Sequence, residues 1–336
     1  VAGVTPDYVE LHNDGVLPFD LSGMTLSDDP AQPGKYVFAD GTLIGPGEYL
    51  VLYGGAAAGT PGIQLSFGLS GAGDGVYLFA ENGTLVDQVA FGTQIPDKSI
   101  GRMANGSWAL TQPTPGAANV RQQLGDASQL VINEWLAAGD RLLNDDFIEL
   151  YNRDTLPVSL AGLAITDNLF ASPRRHEFTP LSFVPGGGYL VLTADEAPAE
   201  GETAEADTLL SFGLSPWRET LALVDANDKP IDVVVYGPQS TDVSQGRSPD
   251  AGTAYRFFTA PSPGLSNLDQ PTATAPILAI DHIWRYDDTG VNQGTCPVGF
   301  FLTRADTNEI PRKKPFLRWD FGSGQPGLTG SPQPGC

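Results

Sequence analysis

The chain has 336 residues, a formal net charge of −22 and only two cysteines, Cys296 and Cys336. A field of this sign repels phosphate backbones and anionic membrane surfaces, so the composition argues against nucleic-acid binding and membrane-surface binding. No apolar stretch approaches the ~18 residues of a transmembrane helix. With 40 glycines, 28 prolines and 41% hydrophobic residues, we expect two or three globular domains of short strands joined by many turns.

Short β-strands are the first predicted elements. In DYVELHN (7–13), Val9, Leu11 and Asn13 share one face of a strand. LSFGLS (65–70) also alternates, which predicts a core strand with an apolar face and a face of small residues. Pro-Gly, Asn-Gly and Asp-Gly turn signals recur at a spacing typical of a β-sandwich.

Several segments occur twice, in the same order and with similar spacing. The offset between the copies grows only from 139 to 148, and it grows in Gly-, Pro- and acid-rich stretches, where loops tolerate insertions. This pattern indicates the tandem duplication of one domain. The pairs are DYVELHN (7–13) and DFIELYN (146–152), GEYLVL (47–52) and GGYLVL (187–192), LSFGLS at 65–70 and 210–215, LVDQVAFGTQIPDKSIGR (85–102) and PIDVVVYGPQSTDVSQGR (230–247), and PTPGAAN (113–119) and PSPGLSN (261–267).

The second copy opens with a strand that has no counterpart in the first. LVINEWLAAG occupies 130–139, and at an offset of 139 its counterpart would lie before Val1. We therefore expect the first copy to lack its first strand, as in a fragment of a longer protein. An unpaired edge or an open seam should result.

The ordered motifs resemble the lamin tail domain, an immunoglobulin-like β-sandwich, in the tandem form of secreted bacterial proteins. This resemblance implies an all-β chain with two tandem immunoglobulin-like sandwiches. The second copy also carries the opening motif Ile132, Asn133, Glu134 and Trp135. The motif residues common to both copies are Glu10, Asn13, Asp97, Ser99 and Arg102 in the first, and Glu149, Asn152, Asp242, Ser244 and Arg247 in the second.

The resemblance and the composition divide the chain into five predicted segments. Residues 296–336 carry three acids and five bases in an otherwise acidic chain. Such a change in composition fits either a flexible tail or truncated domain, or a frameshifted end of a partial gene. The segments are a sandwich without its first strand at 1–119, a linker at 120–129, a sandwich at 130–267, a Pro/Thr/Ala linker at 268–276, and the start of a truncated β module with an irregular or disordered tail at 277–336.

Glu10 and Glu149, in the middle of the repeated strand, are the first candidates for chemistry. As catalytic acids they would need a second carboxylate or a nucleophile nearby, and the sequence indicates neither. The structural interpretation is that each pairs with the arginine of the Asp-x-Ser-x-Gly-Arg motif, Arg102 or Arg247, on a neighbouring strand. That motif is either a turn or a calcium or phosphate loop.

Clustered acids are the candidate calcium ligands, although they lack the alternating spacing of an EF-hand. The three histidines share no motif, and HExxH, GxSxG and P-loop patterns are absent from the sequence. We therefore predict no catalytic residue and no cofactor, with calcium left open. The acid-rich stretch 194–208 is either a solvated loop or a partner-binding loop. The calcium candidates are Asp28, Asp29, Asp145, Asp146 and Asp167.

These features favour non-catalytic spacer, tethering or protein–protein interaction modules of a larger bacterial protein. We expect an extracellular or cell-envelope location and a protein or envelope partner. Tandem copies, acidic composition and the absence of coiled-coil heptads support the bacterial assignment. Two alternatives stay open: the accessory region of a secreted hydrolase or spore-coat-kinase-like enzyme, and a calcium-dependent adhesin.

Overall fold

The computed structural model describes residues 6–55, 61–140, 145–194 and 208–267. They all lie within one compact unit, Val1–Pro271. The predicted linker at 268–276 and the predicted β module at 277–336 lie outside the described residues, as does most of the acid-rich stretch.

The first half of the described chain forms one β-sandwich, as its alternating strands and frequent turns predict. Numbered along the chain, its strands are β1 (Asp7–His12), β2 (Phe19–Asp20), β3 (Thr25–Ser27), β4 (Tyr36–Val37), β5 (Leu43–Ile44), β6 (Tyr49–Gly54), β7 (Ile63–Gln64), β8 (Asp74–Phe79), β9 (Leu85–Phe91), β10 (Ser99–Arg102), β11 (Trp108–Gln112) and β12 (Val120–Arg121). These strands form sheets with the orders β1-β6-β7, β10-β11-β12, β4-β3-β8-β9 and β2-β5.

The second half forms a second sandwich, preceded by a short 3-10 helix at Ala127–Gln129. Its strands are β13 (Leu130–Leu136), β14 (Asp146–Asn152), β15 (Val158–Ser159), β16 (Ala164–Thr166), β17 (His176–Glu177), β18 (Phe183–Val184), β19 (Tyr189–Ala194), β20 (Glu219–Val224), β21 (Pro230–Tyr236), β22 (Ser244–Arg247) and β23 (Tyr255–Phe258). These strands form sheets with the orders β19-β14-β13-β22-β23, β17-β16-β20-β21 and β15-β18.

One apolar core fills each sandwich, because alternate residues of the facing sheets point inward. In the second sandwich, Ile132 of β13 and Leu150 of β14 meet Ile165 of β16 and Leu223 of β20, and all four are fully buried. The first sandwich has a matching but smaller core, which includes the buried side chains of Leu26 and Leu52.

The two LSFGLS segments form extended loops rather than the predicted strand. Leu65 and Phe67 are buried while the serine and glycine beside them are exposed, so the predicted alternation is confirmed. The backbone N–H of Leu69 donates to the carboxylate of Asp7 at 3.0 Å instead of to a neighbouring strand. Apolar alternation therefore located the core face but could not distinguish a strand from an extended loop.

The two sandwiches differ at one strand. In the second, β13 lies between β14 and β22 and pairs with both. The counterparts β1 and β10 of the first sandwich belong to separate sheets, and no strand of the described residues lies between them. Among the described residues, β1 and β10 are therefore not joined as β14 and β22 are.

Candidate functional site

Three repeated motif residues of the second sandwich, Glu149, Ser244 and Arg247, meet in one buried polar cluster around β13. Glu134 of β13 and Glu149 of β14 occupy facing positions of the antiparallel pair, and neither side chain is exposed. Antiparallel pairing places such neighbours close together, and the sheet alternation turns both away from solvent. We call this group the β13 cluster. It comprises Asn133, Glu134, Glu149, Asp232, Ser244, Arg247, Asp250, Ser262 and Asn267.

Glu149 accepts two hydrogen bonds in this cluster. The Nδ2 of Asn133 donates to one carboxylate oxygen at 2.9 Å, and the backbone N–H of Gly264 donates to the other at 2.6 Å. Burial raises the pKa of Glu149 to about 8, although these hydrogen bonds oppose the shift. The glutamate therefore ties β13 and the PSPG turn to β14.

Glu134 binds the opposite side of the cluster. Its carboxylate accepts hydrogen bonds from the hydroxyl of Ser244 and from both the backbone N–H and the hydroxyl of Ser262, the last two at 3.1 and 2.9 Å. Burial raises the pKa of Glu134, and the hydrogen bonds from the two serines oppose that shift.

Arg247 forms the third part of the cluster. Its Nη2 donates to both carboxylate oxygens of Asp232 on β21, at 3.0 and 2.9 Å. Its Nε donates to the carbonyl oxygen of Ile132 at 2.9 Å, and its Nη1 donates to that of Gly252 at 2.8 Å. A fork of donors thus binds one acid and two backbone groups, which orients β13 against β21 and β22.

The predicted pairing of Glu149 with Arg247 is wrong, and so is that of Glu10 with Arg102. Arg102 pairs with Asp87 at 2.6 Å, as Arg247 pairs with Asp232. Glu10 accepts from the backbone N–H of Gly116 at 2.5 Å. In each copy the arginine points to the acid of the preceding long strand, while the glutamate binds the Pro-Gly turn.

Asp232 and Asp250 are cluster residues that sequence reasoning missed. Burial raises the pKa of Asp250, but hydrogen bonds from Ser266, Asn133 and other donors outweigh it and leave that pKa lowered. A signal for Asp232 was present, because Asp87 occupies the same position of the repeated LVDQVAF and PIDVVVY segments. The repeat offers no equivalent acid for Asp250.

The remaining motif residues hold turns. Asp97 and Asp242 have φ of 58° and 57°, the left-handed region that aspartate tolerates in turns, which favours the turn interpretation of Asp-x-Ser-x-Gly-Arg. Ser99 shares a hydroxyl–hydroxyl hydrogen bond with Thr111. Asn13 and Asn152 each donate from Nδ2 to one carbonyl oxygen of the loop after their own strand and to another at the end of β5 or just after β18.

The calcium candidates lie near cations in both sandwiches. Asp28 pairs with Lys35 at 2.6 Å. At the equivalent place of the second sandwich, Asp167 pairs with Arg175.

Asp29 accepts from the backbone N–H of Ala31 at 2.8 Å. Burial, together with the neighbouring charge of Asp145, raises the pKa of Asp146. Across the described ranges, no group of three or more His, Cys, Asp or Glu side chains is arranged to hold a metal ion. Calcium binding stays a prediction.

The chemistry of the β13 cluster is that of a strand anchor. Two facing carboxylates with raised pKa values are the groups that acid–base catalysis uses, but Glu134 and Glu149 are fully buried and bonded to backbone and serine donors. No helix in the described part of the chain is long and apolar enough to cross a membrane.

Comparison with known families gives one match, which falls on both sandwiches in turn. The profile of the lamin tail domain matches residues 2–93 and 125–238, more than half of the chain. No curated protein and no solved structure matches the chain. The chain therefore belongs to the lamin tail domain family and carries two tandem copies of the domain.

Proposed function

We propose that the two domains act as a non-catalytic spacer and interaction module within a larger extracellular or cell-envelope protein of bacterial type. The observation that carries this proposal is the contact between the two sandwiches. A spacer must hold a defined distance, and it does so only when its domains cannot turn freely about their connection.

An apolar cluster joins the two sandwiches. Ile95 and Leu110 of the first pack with Phe183 of the second, and all three side chains are buried. Ile100 and Leu181 pack against the cluster from either side. Burying these side chains in a shared contact favours one arrangement of the domains over a flexible pair.

Two hydrogen bonds to backbone carbonyl oxygens also join the sandwiches at this contact. The N–H of Phe183 donates to the carbonyl oxygen of Thr93 at 2.9 Å, and the Nε2 of Gln94 donates to that of Leu181 at 2.8 Å. Hydrogen bonds are directional, so they restrict rotation as well as separation.

The segment predicted as a linker, 120–129, is also bonded to both sandwiches. Its first two residues form β12 and pair with β11. The N–H of Gly125 donates to the carbonyl oxygen of Pro157 at 2.8 Å, and the N–H of Arg153 donates to that of Gln129 at 3.1 Å. The connection is therefore short and anchored, which supports a spacer rather than a flexible tether.

The chemistry of the domains supports a non-catalytic role. The acids with raised pKa values in the β13 cluster hold backbone groups in the interior, where a substrate would have no access. A net charge of −22 favours solubility and supports an extracellular protein partner over a polyanion.

Distance measurement between spin labels tests the proposal. With Cys296→Ser and Cys336→Ser in place, labels at Asp40→Cys and Lys229→Cys report one exposed site in each sandwich. Pulsed electron–electron double resonance should give one narrow distribution of distances between the two labels. Phe183→Ala should broaden it, because the central side chain of the contact is removed.

Phe170→Ala is the matched control, because Phe170 is 95% exposed and lies away from the contact. This variant should keep the narrow distribution. A distribution in the parent chain as broad as that of Phe183→Ala would reject the rigid spacer.

A further inference from the structure

We propose that the turn at 179–183 of the second sandwich is a directional docking element, and that Leu181 is its specificity-determining residue. We call this segment the docking turn. It fits a corner of the first sandwich, residues 93–95 with Ile100, which we call the docking corner. The aligned corner of the second sandwich does not fit it, so the domains dock in one order only. The proposal rests on the interdomain contact that supports the spacer function, and it names the residue that selects that contact.

Leu181 has a left-handed backbone, which is uncommon for a leucine. Its φ is 63°, a region in which the Cβ of an L-residue crowds the following carbonyl oxygen. The other non-glycine residues with positive φ in the described ranges are three aspartates and one alanine. Strain of this kind persists only where the surrounding structure holds it, so it points to a role for the side chain.

The aligned turn of the first sandwich shows that the turn itself does not require a leucine. Gly41 occupies the position of Leu181, at an offset of 140, and has a φ of 80°. In both copies the hydroxyl of the next residue donates to the carbonyl oxygen three residues before it, at 2.7 Å. A glycine fills this position without strain. What Leu181 adds is therefore the contact made by its side chain.

The docking turn binds the docking corner through both its side chain and its backbone. Leu181, which is half-buried, packs against the apolar cluster that includes Ile95. Its carbonyl oxygen accepts a hydrogen bond from the Nε2 of Gln94 at 2.8 Å. Two residues later, the N–H of Phe183 donates to the carbonyl oxygen of Thr93 at 2.9 Å. Apolar contact and directed hydrogen bonds from one turn define a single docked arrangement.

The glutamine of the docking corner is oriented by its own sandwich. The N–H of Gln94 donates to the carbonyl oxygen of Gly71 at 2.8 Å, and its Nε2 donates to that of Gly92 at 2.8 Å. Gln239 makes the matching bonds in the second sandwich, at 2.8 and 2.9 Å. Because the donor has its orientation before docking, less conformational freedom is lost when the turn binds.

The aligned corner of the second sandwich is polar. Ser240 stands at the position of Ile95. Gln245 stands at that of Ile100. The Nε2 of Gln239 donates to the side-chain oxygen of Gln245 at 3.2 Å, where its counterpart binds the docking turn. A leucine placed on this corner would meet polar side chains, so the docking turn distinguishes the corner of the first sandwich from that of the second.

Two substitutions at Leu181 separate the contact from the backbone strain. Leu181→Ala removes the contact and keeps the strained turn, whereas Leu181→Gly removes both. With the spin labels at Asp40→Cys and Lys229→Cys, both variants should broaden the distance distribution, because the side chain that selects the arrangement is gone. In urea unfolding, the second sandwich of Leu181→Gly should have a folding equilibrium constant about three- to tenfold higher than that of Leu181→Ala.

Gly41→Leu is the matched control, because it places a leucine in the aligned turn, away from the docking corner. A Cβ at Gly41 meets nothing within 4 Å, so the substitution costs backbone strain alone. It should lower the folding equilibrium constant of the first sandwich severalfold. Hydrogen-exchange protection of the Phe183 amide, the donor to Thr93, should stay as in the parent chain.

The double variant Ile95→Ser, Ile100→Gln tests the docking corner, because it gives the first sandwich the residues of the second. It should broaden the distance distribution as Leu181→Ala does, and the Phe183 amide should lose protection at least severalfold. Circular dichroism verifies that the variants fold.

A narrow distribution in Leu181→Gly would overturn the proposal, as would a second sandwich no more stable with glycine than with alanine at 181. Retained protection of the Phe183 amide in the double variant would also overturn it. A broad distribution in the parent chain would reject the spacer itself. A narrow parent with an unaffected Leu181→Gly variant would reject only the docking role of Leu181, so the two failures are distinguishable.

Discussion

The two sandwiches share a sequence pattern and a strand plan, yet β13 closes the second, whereas no described strand fills the same place in the first. Aligned strands pair in the same register: Asp7 faces Gly54 in the first as Asp146 faces Ala194 in the second. The two sandwiches differ in one strand, β13, which only the second has among the described residues. Polar motif residues such as Glu149, a candidate for chemistry in the sequence, therefore serve to hold β13 in place.

The largest expected difference concerns the arginine of each copy. Arg247→Ala leaves Asp232 mostly buried without its cation, so we expect the second sandwich to lose about 3–5 kcal/mol of unfolding free energy. Arg102→Ala removes an exposed pair and should cost about 0–1 kcal/mol. Calorimetric unfolding of both variants measures the two costs, and equal costs would contradict the difference between the two sandwiches.

Truncation of a matched core leucine should give a smaller contrast. Leu150→Ala empties a fully buried site and is expected to cost about 2–5 kcal/mol. Leu11 is only half-buried, so Leu11→Ala should cost less than half as much. Urea unfolding tests this, with Leu17→Ala, at an exposed leucine, as a control that should be neutral.

The pH dependence of stability should separate the sandwiches next. The pKa of Glu149 is raised from 4.5 to about 8 in the folded chain. The unfolded chain therefore releases this proton first, and the stability contribution present below pH 4.5 is lost as the pH rises towards about 8.

Urea midpoints of the second sandwich measured across that pH window should fall as the pH rises. Glu149→Gln should flatten this fall, because the glutamine does not titrate. A fall of unchanged steepness in the variant would assign the titration to another group.

The smallest expected difference concerns the asparagine that follows the repeated strand. Asn13 and Asn152 are both buried, and both donate to a carbonyl oxygen of the loop that follows their strand. Asn13→Ala and Asn152→Ala should each cost about 1–3 kcal/mol, with little difference between the copies. Thermal unfolding that shows a large cost in only one copy would reveal that the loops are held differently.

The positions of several strands could be predicted from the sequence, because they depend on the alternation of neighbouring residues and on the internal repeat. The alternation of Val9 and Leu11 predicted β1, and the repeat predicted β14. The pairing of Arg247 with Asp232 could not be derived this way. It depends on how β21 of one sheet meets β22 of the other, and spacing along the chain does not state which side chains of the two sheets come together.

The role of Glu149 shows the same limit. Its mid-strand position was evident, but its partners Asn133 and Gly264 lie 16 and 115 residues away along the chain. Asp250 lies in a loop with no acidic counterpart in the first copy, so repetition offered no guide to it.

Hydrogen–deuterium exchange of the full chain, resolved to β1 and β14, tests the central claim most directly. The claim is that β13 closes the second sandwich, whereas no described strand joins β1 to β10 in the first. Amides of β14, paired on both sides, should exchange much more slowly than those of β1, which pair with β6 alone among the described strands. Equal protection of β1 and β14 would contradict the account.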